Sequence, residues 1–352
     1  MEDIRFPVDR LENFIQAALS ALGVLDNHAR ISAQRMIEAD LRGMHGHGIF
    51  LLPTYSRRIR EGGYNLRPDI RAERETPVSA LVDGDNGLGQ VVMTFAADLA
   101  IQKAKESGLA WIGIHRGNHA GAAGVYAALP LKHDMIGMYM AVANANLMPP
   151  WGGVDKLLGT NPIAFAIPAG EEPPFVLDMA TTMASFGKVK MAAQRGETMP
   201  VGWMIDRQGE PLTDPQRADE GFLLPIGGHK GYGLNMFIGL MAGVLNGAAF
   251  GSDVINLNQD FQNPTNTGQV FFAMRPDLFQ DLDAFKAEMD AKIREIKHSA
   301  PMEGKGPIRI PGEMAVKRKQ EMMERGVPVA PPVLKAVREL AESLGIEDRL
   351  EG

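Results

Sequence analysis

The sequence predicts a mixed fold, a helical module followed by an α/β or α+β body, and three observations carry that expectation. The opening residues repeat apolar side chains at helical spacing, short apolar runs alternate with helical stretches from Ser79 onward, and the tail from residue 313 returns to charged helical sequence. A chain of 352 residues with 45% hydrophobic content can bury one large core or two ordinary ones. The expected division sets residues 1–75 with 314–352 as a helical domain against an α/β domain over 76–313.

Leu11, Phe14, Ile15, Ala18, Leu19 and Leu22 mark the first helix, with Gly23 as its stop. Asp26 caps a second helix through Ile31, Met36, Ile37 and Leu41 to Gly43, and a third spans about 49–60 before Gly62 and Gly63. Strands are expected at 80–82, 110–114, 136–143, 163–167, 175–177, 202–205 and 270–273, with helices near 91–107, 121–132, 230–247 and 282–298. Tail helices at 313–325 and 332–344, separated by the proline-rich Val327-Pro-Val-Ala-Pro-Pro, are expected to pack back on the N-terminal helices. The apolar stretch 234–249 is too short for a membrane span, and its glycines and Asn246 suit a buried core helix. Trp111, Trp151 and the methionines of that helix read as core.

A formal charge of −7 argues against a nucleic-acid partner, which would need clustered Lys and Arg. With no cysteine there is no disulfide, thiolate metal site or cysteine nucleophile, and a reducing compartment is permitted. The start, Met1-Glu-Asp-Ile-Arg-Phe-Pro, lacks a basic segment leading into an apolar run, so a cytoplasmic location without membrane association is expected.

Neither G-x-G-x-x-G between a strand and a helix nor G-x-x-x-x-G-K-[ST] occurs, which disfavours a Rossmann or P-loop nucleotide site. Three glycine-rich turns bearing histidines stand at element ends instead, where free backbone N–H groups meet anionic ligands. In Arg42-Gly-Met-His-Gly-His-Gly48 the glycines let backbone approach a ligand, and His47 is able to move a proton near neutral pH; a plain helix junction fits the same segment. In Ile114-His-Arg-Gly-Asn-His-Ala-Gly-Ala-Ala-Gly124 a strand end leads through small residues into a helix, which suits phosphate or carboxylate and places His119 to protonate a substrate oxygen. His115 and His119 lack the intervening Glu and the helix of a zinc motif, so no metal site is expected. Pro225-Ile-Gly-Gly-His-Lys-Gly-Tyr-Gly233 opens an apolar helix whose N-terminus and Lys230 are expected to form an anion site; a glycine-rich turn packed tightly against the sheet fits the same segment. Asn144, Thr160 in Gly159-Thr-Asn-Pro162, and Asp178-Met-Ala-Thr-Thr182 add neutral polar groups at strand ends, as a cofactor cleft needs; turns and caps use the same residues.

Taken together, these segments resemble the type 2 malate/L-lactate dehydrogenase family, which includes ureidoglycolate, sulfolactate and diketogulonate enzymes and a cyclic ketimine reductase. The resemblance covers nearly the whole chain. It rests on Ala39-Asp-Leu-Arg-Gly with His47-Gly48, Asp83-Gly-Asp-Asn-Gly-Leu-Gly-Gln90, Gly117-Asn-His-Ala-Gly-Ala122, Gly159-Thr-Asn-Pro-Ile-Ala-Phe165, Leu177-Asp-Met-Ala-Thr-Thr182, Gly187-Lys-Val189, Gly228-His-Lys-Gly-Tyr-Gly233 and Pro311-Gly-Glu313. It implies a non-Rossmann fold with a largely antiparallel sheet plus a helical domain, a homodimer, and NAD or NADP bound by residues 76–313. It further implies that Asn144, Asp178, Met179, Ala180, Lys230, Pro311, Gly312 and Glu313 line the cofactor; Gly121 and Ala122 are expected beside the cofactor as well, and Thr160 and Thr182 are expected to face substrate. His119 matches the acid/base histidine of ureidoglycolate-type members, and His47 a second histidine proposed as proton donor in ketimine-reducing ones.

The implied chemistry is hydride exchange between nicotinamide and a small 2-oxo or 2-hydroxy acid, with a histidine, His119 in preference to His47, moving the proton. Two departures bear on substrate. Gly46 stands where the family usually has Ser, and Leu51 where it commonly has an arginine that pairs the substrate carboxylate. A buried carboxylate needs a partner, and Arg58 or His45 is the expected substitute. Lys188 replaces the Asp of the ketimine-reductase relay, which sets that reading second; a cofactor-binding protein without catalysis and a metal-dependent hydrolase are the remaining alternatives.

Overall fold

The computed structural model describes residues 3–346 and 350. Strand β1 (Ile4–Phe6) leads through Pro7 into α1 (Val8–Ala21), whose inner face buries Leu11, Phe14, Ile15, Ala18 and Leu19. Gly23, at φ +89°, turns the chain into α2 (Asp26–Leu41), and two short 3-10 turns, His45–His47 and Ile49–Leu51, lead into α3 (Leu52–Arg60). The body follows with β2 (Arg71–Thr76), β3 (Ser79–Asp83), α4 (Gly89–Ser107), β4 (Leu109–Gly117), α5 (Ala123–Ala127), β5 (Ile136–Ala141), β6 (Ile163–Ile167) and β7 (Phe175–Met179). An excursion then carries α6 (Phe186–Arg195) and the two-stranded pair β8 (Met204–Ile205) and β9 (Phe222–Leu223). Last come α7 (His229–Ala242), β10 (Thr267–Met274), α8 (Leu282–His298), α9 (Glu313–Arg325), β11 (Val327–Val329) and α10 (Pro331–Leu344).

The main sheet has seven strands in the order β2-β3-β4-β10-β5-β6-β7. Its neighbours pair antiparallel except β3 and β4, which α4 joins as a parallel crossover unit. The predicted mixed, largely antiparallel architecture is therefore the one observed. Alanines 96, 97, 100 and 104 let α4 lie close on the sheet, and Gly108, at φ +86°, ends it. A separate core gathers Leu11, Phe14, Leu19, Met36, Leu52 and Tyr55 with Val337 and Leu340 of α10, so the tail closes over the first helices.

Several elements differ from the sequence expectation for physical reasons. Pro130 lacks an N–H and confines α5 to 123–127, with a 3-10 turn after it. Gly243 ends α7 before a second 3-10 turn at 244–246. β2 escaped notice because its sequence, RAERET, is charged and exposed, as suits an edge strand. The proline-rich Val327-Pro-Val is a strand, β11, paired with β1 so that Pro328 faces Arg5. Ser185 caps the unforeseen α6 by accepting a hydrogen bond from Lys188 N. Trp151 is 56% exposed rather than core, and α7 turns Phe237 and Leu240 outward. Among the described residues no helix is long and apolar enough to cross a membrane.

Candidate active site

The site forms where the turn between α2 and α3 meets the turn between β4 and α5. Asp40, buried at the end of α2, accepts a hydrogen bond from Ile49 N at 2.9 Å and stands 3.1 Å from His45 Nδ1, which pins both ends of the first turn. A Cβ at Gly48 would fall on that carboxylate, so only glycine lets the chain pass. Burial pushes the Asp40 carboxyl up, against the lowering pull of His45 and Ile49 N. Met44 packs on Ala39, Ala122 and Val125 and seats the first turn on the second.

Asn118 holds the second turn. Fully buried, its Nδ2 donates to Asn86 Oδ1 at 2.8 Å and to Gly87 O at 2.9 Å, its Oδ1 accepts from Thr265, and its carbonyl accepts from Gln269 Nε2. The neighbouring His119 is thereby fixed in backbone position. Gly121, at φ +89°, brings the turn so near that a Cβ there would stand 3.5 Å from His47 O.

The two predicted histidines come together: the rings of His47 and His119 stack with centroids 6.0 Å apart and planes within 18°. His119 Nδ1 lies 2.7 Å from the hydroxyl of Tyr55 on α3. Burial, and secondarily His47, pushes His119 down to about 3, while burial lowers His47 as well. Both are therefore neutral at pH 7 in the free protein, and a second proton on the stacked pair is disfavoured. An anion bound beside them shifts both back toward protonation.

β7 gathers the expected cofactor segments. On its open edge Val176 N donates to Pro311 O at 2.9 Å, and Gly312, at φ +95°, packs where a Cβ would stand 2.8 Å from Val176 N. Asp178 accepts from Gly124 N at 2.7 Å; burial raises its pKa, opposed by that N–H and by Arg42. Past the strand, Thr181 N donates to Thr160 O and Ile226 N to Thr181 O, which lays the turn before α7 beside residues 178–182. Met179 and Ala180 are half-buried between these contacts, and Lys230 is exposed at the start of α7. Ala122, just before α5, is buried. Glu313 accepts from Lys297 Nζ at 3.2 Å and from Ile310 N. Asn144 Nδ2 donates to Thr267 Oγ1. The Thr182 hydroxyl donates to Ala184 O, so it serves its own turn.

Arg58 is a correction. Expected as a carboxylate partner, it is fully buried on the inner face of α3, and its guanidinium donates to the carbonyls of Asp260, Gly63 and Asn263. It braces the 260–263 loop, and leaving those carbonyls for a ligand would strand them. His45 is 44% exposed and paired with Asp40. His115 pairs with Glu73 at 3.1 Å on β4, away from His119. Gly46 opens onto free space, and Leu51 packs on the helical core. Among the described residues no cluster of three or more potential metal-ligating side chains occurs.

Sequence reading missed Tyr55, Gln90 beside it, Asp40 and Asn118 as parts of the site. Asp40 and Asn118 lay inside quoted motifs, whereas a tyrosine on a helix face gives no signal until α3 is folded over the β4 turn.

The family model described as malate/L-lactate dehydrogenase matches residues 6–338. The chain is 38% identical over 352 residues to a malate dehydrogenase of Pyrococcus horikoshii, covering 98% of this chain and 96% of that one. It is 34% identical to an NAD(+) ureidoglycolate dehydrogenase of Escherichia coli O157:H7, covering 90% of each. The structure superimposes on sulfolactate dehydrogenase from Methanocaldococcus jannaschii with a TM-score of 0.91 at 37% identity, covering 99% of this chain and 100% of that one.

Proposed function

The chain belongs to the malate/L-lactate dehydrogenase family, and we propose that it interconverts a small 2-hydroxy acid and its 2-oxo acid with NAD or NADP, His119 moving the proton. The stacked His47–His119 pair, held between two glycine-bearing turns, is the observation that carries this reading. An extended dinucleotide needs close backbone approach and a cation. Gly121, the Asp178–Ala180 end of β7, Pro311–Glu313 and the exposed Lys230 supply both.

When bound, the nicotinamide supplies or accepts the hydride at the substrate carbon. His119, neutral in the free protein, takes the hydroxyl proton in oxidation; in reduction an anionic substrate raises its pKa so that it carries the proton delivered to oxygen. His47 stacks on it and relays protons. Without an arginine at position 51, the carboxylate falls to backbone N–H groups of the turn between β4 and α5 and to the ring nitrogen of His45 that Asp40 does not hold.

The test follows absorbance of the reduced nicotinamide, with NADH and NADPH, against pyruvate, oxaloacetate, sulfopyruvate, 2-oxoglutarate, diketogulonate and a cyclic ketimine. Turnover with an oxo acid is expected to fall about 10²- to 10⁴-fold in His119→Ala with cofactor binding retained. Preferred turnover of the ketimine, or full activity in His119→Ala, overturns the assignment.

The functional unit in this proposal is a homodimer. Phe237, Leu240, Val244 and Leu245 recur at helical spacing on the outer side of α7 and its following turn, and Phe237 is 49% and Leu245 62% exposed. Four large apolar side chains exposed so close together in sequence are uncommon on a monomer's free surface.

A further inference from the structure

We infer that a buried chain running from Gln90 through Tyr55 to His119 sets the tautomer of His119, with hydrogen on Nδ1 and the free lone pair on Nε2. The inference rests on His119 being the acid/base group. Tyr55 is a positioning residue: it acts on the imidazole and touches no reacting atom.

Three observations support it. Tyr55 is 1% exposed and its hydroxyl lies 2.7 Å from His119 Nδ1, a full hydrogen bond from a side chain buried in the helical core. His119 Nε2 makes no hydrogen bond among the described residues and is not one of the buried orphaned atoms, so it is the nitrogen open to a ligand. Gln90, 2% exposed on the first turn of α4, lies beside the phenol and interacts with it.

The direction of the chain follows from hydrogen-bond accounting. With its amide nitrogen toward the phenol, Gln90 is a buried donor lacking a properly aligned acceptor. With the two ends of the amide exchanged, Oε1 accepts the Tyr55 hydrogen and that orphan disappears. Burial raises Tyr55 well above the usual phenol range, so its hydroxyl keeps its hydrogen and has it to give to Gln90. The phenol oxygen is then the acceptor, and His119 Nδ1–H donates to it. Nε2 is left unprotonated for oxidation; when it takes the hydroxyl proton, the Nδ1–H···O bond strengthens without any hydrogen having to move. The logic is that of any nucleophile–base pair in which a third group fixes the base. Here a neutral phenol does so.

The experiment uses the full chain labelled with ¹⁵N-histidine, and long-range ¹H–¹⁵N spectra near pH 7 with His119→Gln assigning the signals. Wild type is expected to show His119 protonated on Nδ1, and Tyr55→Phe and Gln90→Met to shift it toward the Nε2–H form. In the same variants kcat falls about 10- to 100-fold while the KM for cofactor stays within about twofold. Circular dichroism and thermal melting confirm that each variant is folded. A wild-type Nε2–H tautomer, or an unchanged tautomer in folded Tyr55→Phe, overturns the inference. The expected tautomer shift in a protein that turns over no substrate keeps the chain of hydrogen bonds and removes the dehydrogenase reading instead.

Discussion

At Gly48 an added methyl would fall on the Asp40 carboxyl, which already holds Ile49 N and His45. Gly48→Ala is therefore expected to destabilise the fold by about 1–3 kcal/mol and to displace His47. Urea unfolding reads the first effect and loss of turnover the second; a neutral substitution would mean that the turn relaxes freely. His119 sets a pH dependence whose sign follows from its depressed pKa, about 3 when folded against 6.5 when free. The unfolded chain binds the proton first, so the contribution is fully present above about pH 6.5 and is lost as pH falls toward 3. Denaturant midpoints at pH 5 and pH 7.5 are expected to differ less in His119→Gln than in wild type. Equal differences would mean that the ring is solvated in the folded state.

Elements bring these residues together, and β7 does most of that assembly. Its backbone meets Pro311 at Val176, its Asp178 meets Gly124, and the turn after it meets Thr160 and Ile226. Gly312→Ala puts a Cβ against Val176 in a left-handed conformation, and the expected loss is about 1 kcal/mol of stability with weaker cofactor binding. Quenching of protein fluorescence by NADH measures the binding; unchanged affinity would place the cofactor away from this segment. The glycine turns were legible in the sequence because left-handed and close-approach positions admit little else. Tyr55 was not, since its contact with His119 spans 64 positions and exists only when α3 meets the turn after β4. Arg58 was misread for a related reason: a cation near a predicted site looks like a ligand group until the carbonyls of Gly63, Asp260 and Asn263 are found converging on it.

At the scale of the whole molecule, the alternation of helical and strand periods was legible because each follows from which face is buried. Apolar content alone did not tell an inward face from an outward one. The helix at 229–242 reads as core by composition, yet its inner side is Asn235, Ile238 and Ala242 while Phe237 and Leu240 face outward, with Val244 and Leu245 beyond its end. If a second copy covers that stripe, light scattering on the purified protein gives about twice the 38.2 kDa chain mass, and the double variant Phe237→Glu/Leu240→Glu, which alters exposed positions only, becomes monomeric without unfolding. The same helix carries Lys230 in its first turn, so loss of the partner is expected to weaken cofactor binding as well as association. A wild-type monomer at micromolar concentration removes the dimer proposal; a double variant that still dimerises moves the interface to another face and leaves α7 free for a different partner.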